Sequence, residues 1–215
     1  MTEKILFITE VGSYMWGMGT PESDHDHMVI FQQSTSEILY GYAPKTGRPQ
    51  KKYFDNGIEY DCQYMEIGHL VNLLIKGNVN AIWTATSPII VQDNCPIDLL
   101  NLRSLVYSNL SKASYASING MAGSQFKASI RRKIATNMTA DKAYKTCLRT
   151  LNFGITMFDT GKLVYAPVDH TVTIEEINEA FEELERAYER THLPAKPNEQ
   201  DFRKFLHDLR VDDMR

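Results

Sequence analysis

The chain has 215 residues, enough for one sizeable core or two small ones. Its 43% hydrophobic and 23% charged residues are ordinary for a globular protein. No apolar run reaches the roughly 20 residues that span a bilayer, and MTEKILFITE is too short and too acidic for a signal peptide, so a cytoplasmic protein without membrane partners is expected. The net charge is only −4, but it is unevenly spread. Arg103 to Lys162 carries ten Lys or Arg against two acids, and the stretch from Asp169 onward carries thirteen acids against seven bases. A basic middle suits polyphosphate or nucleic acid, and a solvated helix face gives the same pattern. Cys62, Cys95 and Cys147 are far apart and form no CxxC pair, so they read as small buried hydrophobes.

In chain order, Lys4 to Thr9 (KILFIT) is a short apolar run that reads as a buried strand. Gly12 to Gly19 is glycine-rich and marks a turn. His27 to Gln32 reads as a second strand, residues 41–52 as a mobile Gly/Pro/Lys-rich loop, and Ile58 to Tyr64 as a third strand. Ile67, Leu70, Val71, Leu74 and Ile75 recur at helical spacing, with Gly77 as the stop. Beyond Pro96 the signals are helical. Leu148, Leu151, Ile155 and Phe158 mark one amphipathic helix. Ile174, Ile177, Phe181, Leu184 and Tyr188 mark another, opened by a Thr173/Glu176 capping box. A last helix is expected near Asp201 to Leu209. The expected fold is therefore α+β: a small mixed sheet with flanking helices over 1–95, then an all-helical half over 96–215.

Residues 12–26 read GSYMWGMGTPESDHD. A Gly-Ser turn after a strand lets backbone N–H groups approach an anion closely. A helix opening at Ser13 would turn its positive end toward a triphosphate. Asp24 and Asp26 stand two apart, so on a strand they share one face. Two such carboxylates are costly unless a cation lies between them, and Mg²⁺ accepts carboxylates together with phosphate oxygens and water. A two-metal phosphoryl-transfer site uses a further carboxylate from a neighbouring strand. Asp61 is the candidate and Glu59, of the same parity, its rival; the choice of Asp61 rests partly on the resemblance given below. His25 and His27 point away from the carboxylates and do not read as ligands. Tyr14 and Trp16 fit core packing better than base stacking. Arg131-Arg132-Lys133 is the densest basic run and fits either a phosphate contact or a solvated face.

With these residues in view, the sequence resembles the DNA polymerase beta-like nucleotidyltransferase superfamily, whose signature is GS, a spacer, then DxD. It is most similar to the branch of predicted nucleotidyltransferases associated with RNA repair. Gly12-Ser13, Tyr14, Gly17, Thr20-Pro21 and Ser23-Asp24-His25-Asp26 resemble the opening motif of that branch. Ile58 to Tyr64, Leu73 to Asn78, Ser87-Pro88, Lys142 with Leu148-Arg149, Thr160 to Leu163 and Leu193-Pro194 resemble its later motifs. Thr146 departs from them, standing where the branch often has histidine.

The resemblance implies transfer of a nucleoside monophosphate from an NTP to a hydroxyl, with pyrophosphate leaving. Asp24, Asp26 and Asp61 would hold Mg²⁺ (or Mn²⁺), and Asp61 would act on the acceptor hydroxyl. Gly12, Ser13, Gly17 and Ser23 would bind the nucleotide, and Lys142 and Arg149, two helical turns apart, would reach phosphates. RNA, such as a tRNA-like end, is the expected acceptor. A protein hydroxyl, as in antitoxin-type relatives, is the alternative. A nucleotide-binding regulator without turnover is a third reading, and the full set Ser13, Asp24, Asp26 and Asp61 argues against it.

Overall fold

A computed structural model describes residues 3–135 and 140–214, with side chains described for 3–128 and 141–214. Its chain forms two compact units, Met1–Asn109 with Asn198–Arg215, and Leu110–Pro197.

The first unit is built on strands β1 (Lys4–Glu10), β2 (His25–Gln32), β3 (Gly47–Asp55), β4 (Ile58–Glu66) and β5 (Ile90–Asp93). They form one five-stranded sheet in the order β3-β4-β2-β1-β5. Only β2 and β4 pair in parallel, so the sheet is mixed, as expected. The central strands bury Leu6, Phe7, Val29, Ile30 and Phe31, which is why they read as continuous apolar runs rather than alternating ones. The short helices α1 (Gly12–Met15) and α2 (Thr35–Leu39) follow β1 and β2.

Helix α3 (Ile67–Ile75) packs on β2 and β4, burying Ile67, Leu70, Val71 and Leu74, the stripe expected from their spacing. It ends at Gly77, where the amides of Gly77 and Asn78 return to the carbonyls of Leu74 and Leu73 at 2.9 and 3.0 Å. Asn78 then caps α4 (Val79–Thr86) through the Ala81 amide.

Residues 41–52 are expected as a loop, but residues 47–52 instead supply the first six of the nine residues of β3, which pairs antiparallel with β4. The connection is Asn56-Gly57, both at positive φ (51° and 83°), as a tight hairpin turn of the primed type demands. Because β3 is exposed along most of its length, it shows no hydrophobic alternation, and its Gly, Pro and Lys residues read as a loop.

Helices α5 (Pro96–Ser108) and α9 (Glu199–Asp212) also belong to the first unit, although a boundary at residue 95 assigns both to the other half. Helix α9 packs on α3 and α5 and buries Phe202 and Leu209. Its Arg210 pairs with the Glu66 carboxylate, itself 1% exposed, and donates to the Gln33 carbonyl at 2.6 Å. Removing one partner of a buried pair leaves an uncompensated charge. Arg210→Ala is therefore expected to cost about 3 kcal/mol in urea unfolding. A loss below about 1 kcal/mol would show instead that water screens the pair as it does on a surface.

The second unit consists of α6 (Ser114–Ala135), α7 (Ala140–Thr160) and α8 (Ile174–Arg190). Ile118 and Ala122, then Cys147, Leu148, Leu151 and Phe158, then Ile177 and Leu184, form its core. Thr173 caps α8 through the Glu176 amide at 3.1 Å, while the Glu176 carboxylate bonds His170 at 2.8 Å. Burial pushes the Cys147 thiol up to about 12, so it stays protonated as a small apolar group. Among the described residues no helix is long and apolar enough to cross a membrane.

Candidate active site

Strand β1 ends at Glu10, and the chain turns at once into the single turn of α1. The turn is pinned to β2 by the Val11 amide, which donates to the Asp26 carbonyl at 2.7 Å. Gly12 has φ +64°, and a Cβ there would lie 1.9 Å from Asp26 Oδ2. Any side chain would thus displace the carboxylate, and any L residue would be strained in this conformation. The Ser13 carbonyl accepts from the amides of Trp16 and Met18 at 3.2 and 3.0 Å, and the exposed Gly17 follows in the left-handed conformation. Ser23 Oγ accepts from the Thr20 amide at 3.0 Å and closes the turn that leads to Asp24. Trp16 is buried edge-on against Trp83 at 5.2 Å, in keeping with core packing.

The parallel register of β2 and β4 sets Asp26 directly opposite Asp61. Directly opposed residues point to the same face, so these two carboxylates look the same way. Asp24, two positions before Asp26, lines a cleft of about 270 Å³ with Ser23, Phe54 and Glu59. Asp61 is buried and is gripped from β3: the Gln50 amide donates to its carboxylate, and Lys52 Nζ lies at 3.3 Å. Lys52 also reaches Glu59 at 2.9 Å, and its hydrogen bonds to Glu59 and Asp61 raise its pKa to about 12. Glu59 therefore stands in the cleft with Asp24, while Asp61 stands opposite Asp26. Gln50 and Lys52 were hidden from sequence reasoning because their segment read as a loop, and Asn56-Gly57 was the signal that places them on a strand.

A sequence model described as the RNA repair pathway DNA polymerase beta family matches residues 1–209. The chain belongs to this family. It is accordingly a nucleotidyltransferase of the polymerase beta type. A nucleotidyltransferase-like protein from Exiguobacterium sibiricum 255-15 is similar in structure over 97% of this chain and 74% of its own, at 10% identity and a TM-score of 0.35. No curated protein is significantly similar in sequence.

On the other face of the sheet of this RNA repair pathway family member, His25 and His27 point away from Asp26, as strand alternation requires. They converge there on Glu10, the register partner of His27 on β1. Glu10 Oε2 lies 2.9 Å from His25 Nδ1 and 3.1 Å from His27 Nε2. A row of stacked rings runs Tyr14–His25–Tyr60–Tyr53, with centroids 4.2, 5.1 and 5.1 Å apart.

Lys142 and Arg149 stand on α7 in the second unit, Lys142 exposed and Arg149 half-buried. Thr146 lies between them and donates to the Lys142 carbonyl at 2.8 Å. The side chains of Arg131-Arg132-Lys133 lie outside the described residues.

Proposed function

We propose that the protein transfers a nucleoside monophosphate from an NTP to a hydroxyl group of RNA and releases pyrophosphate. The observation that carries this reading is the pairing of Asp26 with Asp61 on adjacent parallel strands, with Asp26 seated against the side-chain-free Gly12. Family membership supplies the reaction class, and its RNA repair description favours RNA over protein as acceptor.

The donor set fits a hard divalent ion. Asp24, Asp26 and Asp61 offer carboxylate oxygens alone, the ligands Mg²⁺ prefers over softer metals. Asp24 and Asp26 would hold the ion, with Asp61 completing the site from β4. When bound, Mg²⁺ supplies Lewis-acid stabilisation of the charge that develops on the polyphosphate. The amides of Gly12 and Ser13, with the Ser13 and Ser23 hydroxyls, bind the triphosphate as donors, while Gly17, whose amide donates to the Tyr14 carbonyl at 2.9 Å, shapes the turn instead of binding the nucleotide. Asp61 takes the proton from the acceptor hydroxyl. The oxygen–Pα bond then forms as the bond from Pα to pyrophosphate breaks. Gln50 and Lys52 keep the Asp61 carboxylate oriented, and Lys52 offsets part of the repulsion among the acids. Lys142 and Arg149 are proposed contacts for phosphates of the nucleotide or the acceptor.

The test is incubation with Mg²⁺ and each NTP labelled on its α-phosphate, with pooled small RNA or cytosolic protein as acceptor. Label is expected in RNA, and the RNA affinity is expected to fall steeply as salt rises and counterions are released. Label entering protein alone, with salt-insensitive acceptor binding, would replace RNA by a protein hydroxyl. Tight NTP binding without any transfer would leave a nucleotide-binding regulator.

A further inference from the structure

The Glu10, His25 and His27 cluster has no part in the reaction above. Glu10 is almost fully buried, with its side chain 4% exposed, and Oε1 has no hydrogen-bond partner. A buried carboxylate oxygen without a partner is costly, and native structures leave few of them. The other oxygen, Oε2, sits between two imidazole nitrogens from two different rings. One potential ligand atom from each of the three residues lies within 4.8 Å of the other two. Ligand atoms about 2.0–2.1 Å from a tetrahedral ion lie roughly 3.4 Å apart. The two Glu10–imidazole separations of 2.9 and 3.1 Å therefore need a few tenths of an ångström of opening, while the two imidazole nitrogens lie within 4.8 Å of each other and would close onto the ion.

We propose that Glu10, His25 and His27 bind a borderline divalent ion of the Zn²⁺ type on the face of the sheet opposite the carboxylates. Two imidazole nitrogens with one carboxylate oxygen form a donor set that Zn²⁺ takes in tetrahedral geometry, with a fourth position left for water. Each ring binds neutral, through His25 Nδ1 and His27 Nε2, and carries its proton on the other nitrogen. The His25 ring is held in place by stacking on Tyr14 at 4.2 Å and on Tyr60 at 5.1 Å, the kind of outer support that orients metal ligands. His25, with its side chain 24% exposed, provides the route from solvent, while His27 and Glu10 close the inner side. The role of the ion is positional. His25 and His27 bracket Asp26 in sequence, so an ion clamped to them ties the start of β2 to the end of β1. That junction is where Val11 bonds Asp26 and Gly12 faces its carboxylate.

The test uses the full chain without an affinity tag, stripped with chelator, in an Asp24→Asn/Asp26→Asn background, which removes two of the three proposed ligands of the carboxylate face. Zn²⁺ is titrated in competition with a chromophoric chelator, and Co²⁺ is added in parallel for its visible absorption. The expected result is one tightly held Zn²⁺, a tetrahedral Co²⁺ spectrum, and a raised unfolding temperature with Zn²⁺. His25→Phe keeps a ring in the stack and is expected to weaken Zn²⁺ by at least about 100-fold, since even outer-shell changes cost 10–100-fold. Glu10→Gln is expected to do the same, and far-UV circular dichroism checks that each variant is folded. No Zn²⁺ retained in this background, or equal affinity in folded His25→Phe, would overturn the site. Neither outcome bears on nucleotidyl transfer, which the unaltered chain reports separately.

Discussion

Asp26→Asn is expected to lower nucleotidyl transfer by on the order of 10³-fold while leaving the fold intact. The effect is electrostatic. Asparagine keeps the shape of the side chain but removes the negative charge that faces Asp61 from β2. An ion held by carboxylates contributes several kcal/mol to the transition state of phosphoryl transfer, and each 1.36 kcal/mol corresponds to tenfold in rate. The loss should appear in the chemical step, with unfolding by urea little changed or slightly more difficult, because a like-charge repulsion has been relieved. Measured single-turnover rates and urea midpoints separate the two effects. A variant within about tenfold of wild type in the chemical step would remove Asp26 from the reaction.

Gly12→Ala is expected to be nearly as damaging, for a different reason. The new methyl group would stand 1.9 Å from Asp26 Oδ2, so either the carboxylate or the loop must move. The backbone at φ +64° adds roughly 1–2 kcal/mol of strain for a residue with a Cβ. The variant should therefore lose stability as well as activity, whereas Asp26→Asn loses activity alone. A ~1 Å displacement of a reacting group can cost on the order of 10²-fold, which sets the expected fall in transfer rate. The matching control is Gly17→Ala. Gly17 also has positive φ, but a Cβ there meets nothing within 4 Å, so it should cost stability with little loss of rate. Equal rate losses in the two variants would mean that backbone conformation, and not the contact with Asp26, explains the first.

The contrast between these glycines also marks what the sequence could show. The Gly-Ser turn and the strand before it follow from local chemistry, whereas the shared face expected of Asp24 and Asp26 assumes a period of two that begins only at His25, where β2 starts. The opposition of Asp26 and Asp61 needs the β2–β4 register, which parity narrowed to Asp61 or Glu59 without deciding it. Strand β3 escaped because it is exposed and carries Gly, Pro and Lys; its turn residues, Asn56-Gly57, were the legible part. Strand alternation sets His25 and His27 apart from the carboxylates, and on that ground they did not read as ligands; their convergence on Glu10 depends on the β1–β2 pairing, which joins residues fifteen and seventeen positions apart. The assignment of α9 to the first unit rests on Arg210 meeting Glu66, a contact 144 residues long that no local pattern announces.

In the proposed reaction the carboxylates at the start of β2 and on β4 support attack on the α-phosphorus of an NTP. The most direct measurement compares one NTP labelled at the α-phosphate with the same NTP labelled at the γ-phosphate, each incubated with Mg²⁺, small RNA and either wild type or Asp24→Asn/Asp26→Asn. The expected result is α-label joined to RNA, γ-label released as pyrophosphate, and neither product from the double variant. Label from the γ-position on the acceptor, or transfer that survives in the double variant, would contradict it.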